Sequence, residues 1–296
     1  KTDYADRIGL LPGTPGVVGA ADGALSHLGS VGLADDKMSL TVGTGAAVRR
    51  LVLQPLVKPK SEAWCYYCLE GTWLLGGIIQ DAGNVIKWFV DNVIAQETAG
   101  EDDFERMNRY AAACSPGADG LIFLPFLGGE RCPRNNPFAC GVIYGLTFSH
   151  EKKHMARALI EGIAYRLYSV YQMLLEKNEP ELVVAGGLLK SEVGLQITAD
   201  FFGKNLWIPK IQAASAWGGV LVALRALGII EKREDITGWV HTAGKKEPNK
   251  KNHELYQMLY GLYEALYEKV LTTSGRIAVG NDESSVVLPF GATEQE

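Results

Sequence analysis

Two short segments of the chain carry residues suited to proton and phosphate chemistry. In residues 17–24 a carboxylate, Asp22, follows small and apolar residues, and in residues 39–46 Thr44 stands between two glycines. We interpret each segment as a strand that ends in a small-residue turn. A carboxylate at the start of a helix can accept a proton, and a Gly-Thr-Gly turn leaves backbone N–H groups free to hold phosphate oxygens. Together the two turns predict phosphoryl transfer to an alcohol.

Each of these residues also has a structural interpretation. Asp22 suits the N-cap of a helix, although the same helix N-terminus would stabilise the negative charge that a base needs. Thr44 could be an ordinary turn residue. The residues alone leave these alternatives open.

A third glycine turn follows the apolar strand predicted at 182–185. Gly186 and Gly187 stand where open α/β sheets bind ligands, beyond the carboxyl end of a strand, and would admit a flat base or a ribose. A tight connection between strand and helix explains them equally well. The small residues of 213–219 likewise begin a helix that packs closely on either the sheet or a nucleotide.

Composition narrows the class of partner. The chain has 296 residues, 47% of them hydrophobic, and a net charge of −5, which disfavours a nucleic-acid or anionic-membrane surface. No apolar run reaches the length of a membrane span. Five cysteines, including Cys65 and Cys68 without a second pair at zinc spacing, favour reduced thiols. We therefore expect a cytoplasmic protein that binds small molecules, with a homodimer left open.

Strands and helices alternate along the chain, which is typical of an α/β domain. Asp81 is expected to cap the helix that follows it, residues 245–251 to form a solvated loop, and the tyrosines of the last helix to pack in the core. Arg157 and Glu161, one helical turn apart, are expected to form a scaffold pair. Strands are predicted near 16–21, 38–44, 46–53, 64–70, 72–80, 121–124, 141–144, 182–185 and 205–208, and helices near 82–95, 102–113, 152–175, 191–202, 214–227 and 252–272.

The chain resembles the C-terminal half of an FGGY-family carbohydrate kinase, within the actin-like, ribonuclease-H-like ATPase superfamily. The resemblance spans most of the chain, and the order of its motifs makes it specific. These motifs are VGAADG at 18–23, VGTG at 42–45, LPFLGGERCP at 124–133, GVIYGL at 141–146 with HMARALIEG at 154–162, and AGG at 185–187. The segments 19–29 and 76–84, with Trp88, are most similar to gluconate kinases, and xylulose and other pentulose kinases follow closely.

The resemblance implies a mixed sheet flanked by helices and ATP-dependent phosphorylation of a sugar or sugar acid, most of all gluconate. It implies that Asp22 is the catalytic base and a substrate contact, and that Gln80 contacts the substrate. It further implies phosphate and nucleotide contacts at Gly43, Thr44, Gly186, Gly187 and Ser191. Mg²⁺ is implied by the reaction and would be carried with the phosphates, because it usually keeps several waters.

The resemblance also implies a second domain. Members of the superfamily close two domains around ATP and sugar, and the first domain carries an Asp-x-Gly-Thr phosphate loop, which these 296 residues lack. We expect residues 1–296 to fold as one nucleotide-binding domain that is inactive by itself. A xylulose or other polyol kinase and a non-catalytic nucleotide-binding module remain alternatives. A dinucleotide-dependent oxidoreductase does not, since the chain has no Gly-x-Gly-x-x-Gly after a first strand.

Overall fold

The computed structural model describes residues 2–56, 62–94, 102–176 and 179–271. Within them, seven strands form one mixed sheet and two more form a separate antiparallel pair. The strands are β1 (Lys37–Val42), β2 (Ala46–Val52), β3 (Trp64–Tyr67), β4 (Trp73–Ile79), β5 (Ile122–Leu124), β6 (Val142–Tyr144), β7 (Glu181–Gly186), β8 (Leu206–Pro209) and β9 (Thr242–Lys246). The large sheet has the order β3-β4-β2-β1-β7-β8-β9, and β5 pairs with β6.

The strand directions place the carboxyl ends of β1, β4 and β7 at one edge of the sheet. β1 runs parallel to β7, with Val42 beside Gly186. β2 is antiparallel to both of its neighbours, so that Ala46 lies opposite Val42 on one side and opposite Ile79 on the other. β1, β4 and β7 therefore all end at the same edge, and the turns that follow them are neighbours in space.

Helices cover both faces of this sheet. The α-helices of the described residues are α1 (Thr2–Ile8), α2 (Asp22–Val31), α3 (Gly83–Asn92), α4 (Asp103–Ala112), α5 (Lys152–Leu174), α6 (Glu192–Phe202), α7 (Ala214–Ala226) and α8 (Lys250–Leu266). Met38, Leu40 and Val42 point from β1 into the larger core, which α5 shares. The alternate residues Ser39 and Thr41 face the side covered by α2. The smaller core on that side contains Ala24 and Leu28.

Two helices of the α2 face cross at glycines. A Cβ built on Gly218 of α7 would overlap the carbonyl oxygen of Leu25 in α2 and lie 2.7 Å from the Leu25 carbonyl carbon. A Cβ built on Gly29 of α2 would meet Ala214 in the same way. The small residues of 213–219 therefore serve the packing of α7 on α2.

Most of the predicted elements are confirmed, with ends that shift by one to three residues. The predicted ends at 95 and 272 lie outside the described residues. α1 was not predicted, and β9 occupies part of the stretch interpreted as a solvated loop. Lys245 and Lys246 lie in β9, opposite Trp207 and Leu206 of β8. Lysines suit this position because β9 is at the edge of the sheet.

Two further predictions are wrong. Residues 16–21 form no strand, and Val18 is 91% exposed. β-branched residues favour an extended backbone, but a strand also needs a neighbouring ladder, and no described strand pairs with this segment. Asp81 does not cap α3, whose N-cap residue is Ala82. The reason lies in the contacts of Asp81 described below.

The scaffold pair of Arg157 and Glu161 and the core packing of the tyrosines in the last helix are confirmed. Arg157 Nε donates to Glu161 Oε1 at 2.7 Å inside the protein, and Tyr256, Tyr263 and Tyr267 are buried. All five cysteines are free thiols. Among the described residues, no helix combines the length and the hydrophobicity that crossing a membrane requires.

Candidate functional site

The turn between β1 and β2 presents backbone N–H groups to solvent. Gly43 N donates to Gly45 O at 2.7 Å, which closes the turn and leaves Thr44 exposed at its tip. Within the described part of the chain, the N–H groups of Thr44 and Gly45 donate to no carbonyl. Two adjacent unpaired N–H groups beside a hydroxyl can bind the oxygens of a phosphate group.

The first turn of α3 is hydrogen-bonded to this glycine turn. Ala82 N and Asn84 N donate to Thr44 O at 3.2 and 3.1 Å, and Gly83 N donates to Gly43 O at 3.0 Å. A Cβ on Gly83 would lie 2.5 Å from Gly43 O, so only glycine permits this approach. The conformation of the Gly43–Thr44 turn therefore depends on where α3 begins.

The two residues that follow β4, Gln80 and Asp81, differ in their surroundings. Asp81 is 4% exposed, and its carboxylate accepts hydrogen bonds from Gly128 N at 2.5 Å and from Asn84 Nδ2 at 2.9 Å. Gln80 is exposed at the end of β4, and a Cβ on Gly45 would lie 3.0 Å from its carbonyl oxygen. Gln80 therefore borders the Gly43–Thr44 turn, as a substrate contact would.

The second glycine turn follows β7. Gly186 has φ 78°, and a Cβ there would overlap the carbonyl oxygen of Val42. Close strand packing therefore accounts for this glycine by itself. Ser191 is the N-cap of α6, where its hydroxyl accepts from Gly194 N at 2.9 Å and donates to Asn108 Oδ1 at 2.5 Å. Of these three residues, Gly187 lines the larger cavity at this edge of the sheet.

A cavity of about 700 Å³ joins the two glycine turns. Gly43 and Thr44 line one side of it and Gly187 lines another, with Asn84, Asn108 and Lys190 among the other lining residues. Ser191 lines a smaller cavity that shares Asn108 and Gly187 with the larger one. The structure thus brings together Gly43, Thr44, Gly187 and Ser191.

Lys190 is a lining residue that the sequence analysis did not single out. It is exposed, and its ammonium group forms no ion pair with any described residue. A cation in the turn after two glycines and directly before a helix was a usable signal, because such a turn places it beside bound phosphate. Lys87 also lines the cavity, but its ammonium lies 3.1 Å from Asp91.

Asp22 lies at the same edge of the sheet, on the face that α2 covers. His27 of α2 is hydrogen-bonded to Ser39 at 2.9 Å, whereas Gly23 lies against Arg49, whose Nη1 donates to Thr41 at 3.0 Å. The middle of α2 thus contacts β1 at Ser39, and the N-terminal end of α2 lies near Thr41, closer to the carboxyl end of β1. The start of α2 therefore points to the edge where Gly43 follows.

The Asp22 carboxylate is exposed and does not act as an N-cap. That position belongs to Ala21, and the only described hydrogen bond of the carboxylate is from Gly23 N, at 2.7 Å. Burial lowers the pKa of the Arg49 guanidinium, and the nearby Tyr66 and Asp22 oppose that shift. Asp22 is therefore available to a ligand while a cation lies close to it.

His27 is not an acid–base candidate. It is completely buried, and burial together with nearby Arg49 lowers its pKa to about 3. The imidazole is therefore neutral near pH 7.

The arrangement suits the handling of a phosphate ester beside an exposed carboxylate. Gly43, Thr44, Gly187 and Lys190 line one cavity, while Asp22, Gln80 and Gly186 share the edge without lining it. Groups of three or more His, Cys, Asp or Glu side chains that could hold a metal ion do not occur among the described residues.

The chain matches a protein family and individual relatives within that family. Residues 38–227 match the FGGY family of carbohydrate kinases, C-terminal domain. A gluconokinase from Bacillus licheniformis is 34% identical over 269 residues, which cover 88% of this chain and 52% of that relative. The chain spans about half the length of the curated relatives it matches.

Two solved structures from Lactobacillus acidophilus share the fold. A gluconate kinase is similar with a TM-score of 0.83 and 32% identity, over 92% of this chain and 55% of that one. A ligand-bound xylulose kinase is similar with a TM-score of 0.82 and 32% identity, over 91% and 55%. These similarities confirm the fold class predicted from the sequence.

Proposed function

Because the chain belongs to the FGGY family of carbohydrate kinases, we propose that the full-length protein containing it transfers the terminal phosphoryl group of ATP to a hydroxyl of a sugar or sugar acid. The observation that carries the proposal is the shared sheet edge, where the Gly43–Thr44 turn and a cavity of about 700 Å³ lie and toward which α2 begins with the exposed carboxylate of Asp22. These are the parts that phosphoryl transfer needs, since the protein mainly positions groups and neutralises charge.

ATP occupies the cavity between the two glycine turns. A volume of about 700 Å³ is within the range of nucleotide and cofactor sites. The N–H groups of Thr44 and Gly45 and the Lys190 ammonium would hold phosphate oxygens, and the surface around Gly187 would hold the adenosine. Mg²⁺ would neutralise phosphate charge and would be held by the phosphates, which suits a metal that keeps several of its waters.

Asp22 is the general base. Its carboxylate accepts the proton of the attacking sugar hydroxyl as that oxygen bonds to the terminal phosphorus, while the bond from phosphorus to the bridging oxygen of ATP breaks and ADP leaves. Two features support this assignment: the carboxylate is exposed, and the structure does not use it as a helix cap. Gln80 would orient the sugar from the neighbouring strand end.

Gluconate is the proposed acceptor, supported by 34% identity to a gluconokinase. Xylulose is the second candidate, since a xylulose kinase and a gluconate kinase are equally identical to this chain at 32%. We further propose that residues 1–296 supply the ATP-binding half of the active site, so that these residues alone do not turn over substrate.

The test replaces Asp22 in the full-length protein and measures ATP-dependent phosphorylation of gluconate, xylulose, other pentuloses and glycerol. Asp22→Asn should lower kcat by roughly 10²–10⁴-fold, the usual contribution of a general base. The matched control is Asp35→Asn, which removes an exposed carboxylate after the same helix and should keep wild-type turnover.

Three outcomes separate the alternatives. Near wild-type turnover by Asp22→Asn would exclude Asp22 as the base. Tight MgATP binding without phosphorylation of any acceptor would favour the non-catalytic module. Normal turnover by residues 1–296 alone would refute the proposed division of the active site.

A further inference from the structure

We propose that Asp81 is a positioning residue for phosphate transfer, whose buried carboxylate fixes the start of α3 and through it the Gly43–Thr44 turn. The inference rests on the proposed function, because it assigns the turn to phosphate binding. It gives a role to a residue that the sequence analysis interpreted as a helix cap.

The Asp81 carboxylate joins two segments that are distant along the chain. One oxygen accepts from Gly128 N at 2.5 Å, in the loop after β5, and the other accepts from Asn84 Nδ2 at 2.9 Å in α3. Hydrogen bonds that a carboxylate accepts are among the stronger ones in proteins, and burial strengthens them further. The carboxylate is 4% exposed, so solvent cannot replace these partners easily.

Asn84 connects the Asp81 carboxylate with the Gly43–Thr44 turn. Its side-chain oxygen accepts from Ala82 N at 2.9 Å and from Val85 N at 3.0 Å, which orders the first turn of α3. Ala82 N and Asn84 N in turn donate to Thr44 O. One side-chain hydrogen bond and one backbone hydrogen bond therefore connect the Asp81 carboxylate with the residue at the tip of the turn.

Arg166 supplies the opposite charge from the central helix α5. Its Nη1 donates to Asp81 O at 3.2 Å and to Pro125 O at 3.1 Å, and lies 4.0 Å from Asp81 Oδ2. The side chain is 2% exposed, and its Nε and Nη2 form no hydrogen bond with the described residues. A buried guanidinium with so few hydrogen bonds is stabilised by the charges and rings near it, which here are the carboxylates of Asp81 and Glu130 and the ring of Phe126 at 4.4 Å.

Close backbone packing makes the connection stiff. A Cβ on Gly128 would lie 2.8 Å from Asp81 Oδ1, and a Cβ on Gly83 would lie 2.5 Å from Gly43 O. Neither contact leaves room for adjustment, because protein interiors are densely packed. A displacement of the carboxylate is therefore transmitted to the turn.

The experiment compares Asp81→Asn with the wild type in the full-length protein. Asn has the size of Asp, but its side chain offers one acceptor oxygen and one donor NH₂ group to two donors, Gly128 N and Asn84 Nδ2. One of the two hydrogen bonds is therefore lost. We expect the Kd for MgATP to rise roughly tenfold, as for a slight misplacement of binding groups. The KM for the sugar should stay within about twofold, because the change is confined to the phosphate turn.

Backbone amide exchange supplies a second readout that needs no nucleotide. At a temperature where circular dichroism shows both proteins folded, the amides of 43–45 and 82–85 should exchange faster in Asp81→Asn, while those of α5 keep their protection. The control is Asp35→Asn, which removes an exposed carboxylate shortly before β1, at the opposite edge of the sheet from the Gly43–Thr44 turn, and should change neither readout.

Unchanged MgATP affinity in folded Asp81→Asn, or faster exchange spread evenly over the protein, would overturn the inference. Should Asp81→Asn fail to fold, Gly128→Ala replaces it, because its Cβ displaces the carboxylate and keeps the charge. A wild type that binds no MgATP would refute the proposed function instead, and the exchange of 43–45 would still decide whether Asp81 orders the turn.

Discussion

Replacing Gly218 with Ala should destabilise the protein, whereas the same change at its neighbour Gly219 should stabilise it. Both glycines lie in α7, but a Cβ at position 218 would lie 2.7 Å from the carbonyl carbon of Leu25. A Cβ at position 219 would approach only the side-chain atom Leu25 Cδ1, at 4.0 Å. Backbone atoms cannot rotate away as a side chain can. Relief at position 218 therefore requires α2 and α7 to separate by roughly 1 Å, given a favourable carbon–carbon distance of about 3.5–4.0 Å.

The expected magnitudes follow from two opposing contributions. Overpacking of a tight contact costs about 1–3 kcal/mol, and we take about 3 kcal/mol because the obstacle is backbone. Ala in place of Gly within a helix returns about 1 kcal/mol. Gly218→Ala should thus lower the free energy of unfolding by about 2 kcal/mol, and Gly219→Ala should raise it by about 1 kcal/mol.

Urea unfolding followed by circular dichroism measures the difference, since the midpoints shift at constant slope. The two variants should differ by about 3 kcal/mol. Asp22, the proposed base, is the first residue of α2, so a displacement of α2 would also move its carboxylate. Gly218→Ala should therefore lower the turnover of the full-length protein, whereas Gly219→Ala should not. Equal midpoints for the two variants would refute the inferred close crossing of α2 and α7.

Three further predictions concern charge. The pKa of His27 is lowered from 6.5 to about 3 by folding, so the folded protein binds fewer protons there than the unfolded chain between these two values. The free energy of unfolding should therefore be independent of His27 above pH 6.5 and should fall by about 1.4 kcal/mol per pH unit below it. Unfolding titrations from pH 7 to pH 4 should therefore show a steeper loss in the wild type than in His27→Asn. Lys190→Ala should raise the Kd for MgATP about tenfold by calorimetry, from the loss of one charge-assisted contact, and Lys87→Ala much less. Arg157→Met should cost about 3–5 kcal/mol in urea unfolding, because it leaves Glu161 buried without its cation. A second change, Glu161→Gln, should recover part of that loss.

Local patterns determined most of the secondary structure. The alternation of apolar strands, glycine turns and amphipathic helices predicted an α/β domain, because burial of one face sets the spacing of apolar residues. The mixed sheet was implied by the resemblance to a family. The same patterns failed at 16–21, where strand propensity met no partner. They failed again at Asp81, because the N–H groups that it would cap are taken by Gly43, Thr44 and Asn84.

The chemistry of the site divides in the same way. Residue type and order along the chain were sufficient to single out Gly43, Thr44 and Gly187, since strand ends followed by glycines are local features. Asp22 was singled out by its place at the start of a helix, although the strand predicted before it does not form. The roles of Asp22 and of the other proposed contacts stay predictions until the variants are measured.

Only the tertiary structure decided which of these residues share a cavity. The pairing of β1 with β7 brings Thr44 and Gly187 together across more than 140 positions, adds Lys190, and leaves Asp22 on the other face of the sheet. Strand pairing and helix crossing at this separation depend on contacts among distant residues. No spacing along a single sequence specifies such contacts, and the placement of Asp81 next to the residues that hold the Gly43–Thr44 turn arises from them.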